Sequence, residues 1–209
     1  MDFSKFLSTN ELPNHNDLSP DSVEKILDKL IYDTKSLILK INKSKTSTWH
    51  TVIEPISEQT EKINRVWGGI NHLSSVIDSP QWRELINKKM SLVTNFWTEF
   101  TQNENLYKKI KILKNVSFVQ SDQTKKKVVA NYLKEFKLGG TDLKKIEKKQ
   151  FKQNSTLLAE LAQKYSENLL DSTKDGFLHI FNKTKKKQTD RLSGIPDNVI
   201  KTAEQNASQ

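Results

Sequence analysis

Cysteine is absent from the 209 residues. That one absence excludes disulfides, thiolate nucleophiles and cysteine-ligated zinc or iron–sulfur sites together, and it fits a reducing compartment, so the expected location is cytoplasmic. No stretch approaches the roughly 20 apolar residues of a membrane helix, and the opening Met1-Asp2-Phe3-Ser4-Lys5 has no apolar core, so neither a membrane span nor a signal peptide is read. Histidine occurs four times, at His15, His50, His72 and His179, and none is followed by Glu. A zinc-hydrolase His-Glu-x-x-His helix, in which two imidazoles four residues apart reach one metal while Glu activates its water, is therefore missing. So is any Gly-Lys-Ser/Thr step that would cradle a phosphate. Arginine is scarce, with Arg65, Arg83 and Arg191 the whole set.

What is abundant is lysine. The net charge is +9, and it is uneven: residues 1–80 carry 9 cationic against 11 anionic side chains, and residues 81–209 carry 25 against 14. Such a surplus raises nucleic acid as a partner. The lysine clusters at 125–127, 144–149 and 185–187 lack both arginine and interleaved aromatics for base stacking, so lysine spread over solvated helix faces is the better reading.

Helical signals recur along the chain. Ser19 before Pro20 supplies an N-cap and a first-turn proline, and Val23, Leu27, Leu30, Ile31, Ile38 and Ile41 follow at helical spacing, predicting a helix over 20–42. A second helix is expected from either Thr48 or Pro55, with Pro55 a possible kink and Gly68-Gly69 loosening its middle. A third opens at Ser79-Pro80, a fourth near Asn103 and a fifth near Ser121, the last stopped by Gly139-Gly140 as a positive-φ terminus. The sixth, about 141–175, contains neither proline nor glycine and carries Leu143, Ile146, Leu157, Leu158, Leu161, Tyr165 and Leu169 as an apolar stripe. At 1.5 Å per residue it reaches about 50 Å and is expected to pack along its length. Phe177–Phe181 reads as a strand, followed by a basic linker and a short helix from Pro196. The fold class is all-α: a multi-helix domain over 1–175, then 176–209 as strand-like segment, linker and short helix.

Candidate chemistry is thin. His50, Glu54 and Glu58 could share a helix face, but exposed polar pairs at that spacing are ordinary. His72 reads as a packing histidine. Ser22-Val23-Glu24-Lys25 and Lys45-Thr46-Ser47 match fragments of β-lactamase motifs without their third element, which chance supplies in a lysine-rich chain. Trp49, Trp67, Trp82 and Trp97 at helical positions read as core. No catalytic, cofactor-binding or metal-ligating residue is assigned.

One ordered constellation exceeds what helix formation requires. It comprises Thr48, Trp49, Val52, Ile53, Glu54, Pro55, Arg65, Trp67, His72, Leu73, Val76 and Ser79-Pro80. It continues through Asn103-Glu104-Asn105-Leu106-Tyr107, Phe136-Lys137-Leu138-Gly139-Gly140, the segment 165–171 and Leu192-Ser193-Gly194-Ile195-Pro196. In that order, from about Leu12 to about Lys201, the chain resembles the N-terminal helical region of the thimet-oligopeptidase family of zinc metallopeptidases. The resemblance implies that the intact protein hydrolyses short peptides with zinc, and that this region forms part of one wall of a deep channel rather than the catalytic centre. It also implies that the chain is an N-terminal fragment, inactive and zinc-free alone, whose partner is a missing catalytic domain. The segment 177–181, lacking a second strand to pair with, is expected to pair with another copy of the chain, to pack in a non-strand conformation or to be mobile, the first two being favoured. The rival readings are a stand-alone basic helical binding or scaffold protein and a nucleic-acid-associated one.

Overall fold

A computed structural model describes residues 4–8, 14–175 and 193–207. The described residues are helical, with no strand among them. They form α1 (Ser4–Leu7), a 3-10 turn (His15–Asp17), α2 (Pro20–Lys43), a wide π-type turn (Trp49–Ile53), α3 (Glu54–Ile77), α4 (Pro80–Thr101), α5 (Glu104–Leu113), α6 (Ser117–Gln120), α7 (Gln123–Leu138), α8 (Lys145–Asp175) and α9 (Asp197–Ala207). The chain divides into two compact units, 1–166 and 167–209. The Phe177–Phe181 strand, the basic linker and the self-association assigned to 177–181 lie outside the described residues.

Caps set the boundaries. Ser22 Oγ accepts from the Ser19 backbone N–H at 3.1 Å and from Ser19 Oγ at 2.8 Å, so the serine of the apparent Ser-x-x-Lys match is part of a helix cap. Thr48 and Thr51 cap reciprocally, each hydroxyl accepting from the other's backbone N–H at 3.2 and 3.0 Å. The two starts expected for the second helix are thus both used: Thr48 caps the wide turn, and α3 follows through Pro55. In a regular helix the proline ring would meet the carbonyl four residues earlier, and the wide turn is how the chain passes it. The fifth helix starts later than Ser121 because Asp122 Oδ1 takes the N–H groups of Thr124 and Lys125 at 2.8 and 3.2 Å. The short α6 had no periodicity long enough to be read.

Two apolar clusters form the core of the first unit. In one, Val23, Leu27 and Ile31 of α2 meet Ile63 and Ile70 of α3 and Phe96 of α4, with Phe6 of α1 closing one side. In the other, Ile38, Ile56, Phe100, Leu106, Ile110 and Phe136 join α2, α3, α4, α5 and α7. Lys89, only 8% exposed at its side chain, ties α4 to α2 by ion pairs to Glu24 at 2.9 Å and Asp28 at 2.7 Å. Burial alone would lower its pKa, but the hydrogen bonds it donates to those two carboxylates outweigh it and the ammonium is held charged.

The longest helix corrects two expectations. It begins at Lys145 rather than 141, because Gly140 (φ 88) turns the chain and the Leu143 N–H bonds back to the Gly140 carbonyl. Glu147 then caps it by accepting the Lys144 N–H at 2.8 Å. Of the two glycines only Gly140 has positive φ; Gly139 is at −77°. Nor does α8 pack by its leucines.

Candidate functional site

Between Lys145 and Ser166, α8 is seated by polar side chains. Lys148 pairs with Glu104, Lys152 with Glu99, Thr156 with Asn95, and Glu160 accepts from Ser91 at 2.6 Å. Glu99 also takes Lys35 of α2 at 2.8 Å, and although burial would raise its pKa, the hydrogen bonds from Lys152 and Lys35 hold it below the ordinary carboxylate range. The apolar residues face outward: Ile146, Leu157, Leu158, Leu161 and Tyr165 are 54–75% exposed. Leu157, Leu158, Leu161 and Tyr165 share one helix face, so a continuous apolar stripe stands uncovered within the unit. An amphipathic helix normally turns such a stripe to the core. Here the core is already closed without it, and the stripe remains exposed.

A cleft of about 340 Å³ opens between α3, α4 and α7. Trp97, Phe100 and Val128 give it apolar walls, while Glu61, Asn64, Asn131 and Glu135 stand among its polar lining. Tyr132 and Ser57 hydroxyls meet at 2.9 Å across it. Burial pushes the Tyr132 phenol up, helped by the nearby Glu135 charge and opposed by the bonds to Ser57 and Thr60, so it is a neutral hydrogen-bonding group.

The histidines do not converge on such a site. His50 Nδ1 lies 2.7 Å from Glu54 Oε2 in an exposed pair that Glu58 does not join. His72 is exposed on α3, its ring 5.0 Å from that of His15, and the pair lies beside the packed N-terminal segment. His179 falls outside the described residues. Trp82 is buried, and Trp49, Trp67 and Trp97 are half-buried against the core clusters. Gly68 faces open space and Gly69 packs under Leu18 and Phe6. Sequence reasoning found the residues of the α8 stripe by their spacing but assigned them to the interior. The signal it passed over was the lysine and glutamate placed opposite, which match Glu99, Glu104 and Ser91.

This arrangement is that of an all-helical domain with an exposed apolar stripe on α8, and comparison with known proteins gives its family. The N-terminal domain of neurolysin/thimet oligopeptidase matches residues 23–149, and the chain belongs to that family. It is 29% identical over 202 residues to oligopeptidase A of Haemophilus influenzae, covering 96% of this chain and 29% of that protein. To oligopeptidase A of Escherichia coli it is 27% identical over 199 residues, covering 94% and 28%. To an Arabidopsis thaliana protein named organellar oligopeptidase A, chloroplastic/mitochondrial, it is 27% identical over 203 residues, covering 93% and 25%. The chain thus spans less than a third of the length of the relatives it matches.

The resemblance implies zinc, and the described residues do not fit it. Among the described residues no three His, Asp or Glu side chains gather around one point, and His50–Glu54 offers two exposed donors where a structural or catalytic site needs at least three. No chemical step is assigned to this chain.

Proposed function

We propose that this chain is the N-terminal helical part of a zinc oligopeptidase that degrades short peptides, that it forms part of the wall of the peptide channel, and that it is not catalytic by itself. The match of the family's N-terminal domain over 23–149, within relatives more than three times as long, carries the reading. The uncovered stripe of α8 supports it, since a stand-alone scaffold would bury such a face within its own residues. In this reading the stripe docks against the remainder of the intact enzyme, and zinc is held by residues of that remainder. The cytoplasm is the proposed location, on the absence of cysteine.

Two measurements test this. The gene beyond the codon for Gln209 should continue into a His-Glu-x-x-His segment, and a stop codon there, with no separately encoded catalytic part, would refute it. The purified chain should retain no stoichiometric zinc and hydrolyse no quenched fluorescent peptide; turnover that survives extensive purification would contradict the assignment of chemistry elsewhere.

A further inference from the structure

On the first unit, α5 and α7 flank a groove of about 510 Å³ that none of the preceding roles uses. Its floor is apolar, from Ala130, Leu133 and Leu138, the last 68% exposed. Its rim carries Lys111, Lys114, Lys134 and Lys137. All four lysines are exposed, and among the described residues none has a carboxylate within ion-pair distance. Lys35, Lys88, Lys89, Lys148 and Lys152 each hold a glutamate, and what sets the four groove lysines apart from other unpaired ones is that they line one groove together with aliphatic side chains. Four unanswered cations around an aliphatic floor are an arrangement that an anionic, partly apolar chain would complete.

We propose that the α5–α7 groove binds an acidic peptide segment, its carboxylates meeting the four lysines and its aliphatic side chains covering Leu133 and Leu138. Nucleic acid would share the charge but not the floor. Its bases need exposed aromatic faces, and the groove's one aromatic, Tyr107, is half-buried and stacked on buried Phe136 with ring centroids 6.1 Å apart. Arginine, the residue suited to reading bases, is absent from the lining. Aliphatic residues ringed by ammonium groups suit a peptide in which Glu or Asp alternates with Leu-like side chains.

The test is fluorescence anisotropy with the whole chain and a labelled peptide of about three helical turns composed of Glu, Leu and Ala. Binding should weaken as salt rises, and the same peptide with Gln for Glu should not bind. K111E/K134E should weaken binding about tenfold, two exposed ion pairs being worth roughly that together. L138S should lose about threefold by removing floor contact. K29E/K40E, which makes the same change of net charge on α2 away from the groove, should stay within about twofold of the parent; this control separates the groove from general attraction to a basic protein. All these positions are exposed, so folding is preserved and checked by circular dichroism. Equal loss in K29E/K40E, indifference to K111E/K134E, or tighter binding of a single-stranded RNA at the same salt would overturn the proposal.

Discussion

Gly139→Ala should be among the most damaging single-methyl additions in this chain. Gly139 sits at φ −77°, ψ 0°, a conformation alanine tolerates, so backbone strain is not the cause. The space is. A Cβ there would stand 2.1 Å from Thr101 Oγ1 and 2.3 Å from Thr101 Cβ, against ordinary contact from 3.4 Å. Rotating Thr101 moves its hydroxyl but not its Cβ, so the ends of α4 and α7 must part by about 1 Å or the end of α7 must lift. Parting overpacked elements costs roughly 1–3 kcal/mol. Lifting α7 uncovers Phe136, which is fully buried with its ring 5.3 Å from that of Phe100, and forfeits about 2–3 kcal/mol of burial. Both routes converge on a loss of about 3 kcal/mol, readable by urea denaturation followed through tryptophan fluorescence. Thr101→Ala should not rescue it because the Cβ remains, whereas Thr101→Gly should make the double variant more stable than Gly139→Ala alone. A Gly139→Ala chain within about 0.5 kcal/mol of the parent would refute the argument, as would rescue by Thr101→Ala.

Gly139 also shows where sequence reading stops. The pair Gly139-Gly140 was legible as a helix end, yet which glycine turns left-handed and which makes room for a neighbouring helix depends on Thr101, some forty residues away. Helix existence was legible from local facts: Ser19-Pro20, Ser79-Pro80 and Asn103 each cap the helix their spacing announces, Asn103 Oδ1 accepting the Leu106 N–H at 2.9 Å. The core was legible for the same reason, since Leu27, Ile63 and Phe96 recur on the faces that meet. The orientation of α8 was not. Its leucine periodicity and its polar stripe are both helical, and only the placement of Glu99, Glu104, Asn95 and Ser91 on facing elements decides which stripe turns inward. The α5–α7 groove was hidden likewise: lysine density suggested a solvated surface, and the aliphatic floor between two helices is a tertiary fact.

The adjacent glycines of α3 should part company under the same substitution. Gly68→Ala meets nothing within 4 Å and should stabilise by about 0.5–1 kcal/mol through helix propensity, whereas Gly69→Ala, with its Cβ 3.1 Å from Leu18 and 3.2 Å from Phe6, should lose that gain in displacing the N-terminal segment; equal values for the two in chemical denaturation would contradict this packing. Acid should weaken the α2–α4 contact. Hydrogen bonds from Lys88 and Lys89 hold the Glu24 carboxyl below its ordinary value, so its contribution is complete above the unfolded value near 4.5 and is lost as pH falls through the lower folded one; urea midpoints measured down through that window should fall less steeply in Glu24→Gln, and an unchanged slope would exclude the pair as a contributor. The stripe on α8 distinguishes core from interface most directly. Leu158 and Leu161 are 68% and 55% exposed, and leucine and lysine have similar helix propensities, so Leu158→Lys with Leu161→Lys should change unfolding free energy by no more than about 0.5 kcal/mol each, where truncating buried Phe96 to alanine should cost about 3–5 kcal/mol. If the stripe docks against the rest of an intact peptidase, the isolated chain should also self-associate with rising concentration in sedimentation velocity, and the lysine pair should abolish that association without altering helix content. A loss beyond about 1.5 kcal/mol in the lysine pair would mean that the leucines are core after all, and the docking role would pass to another face.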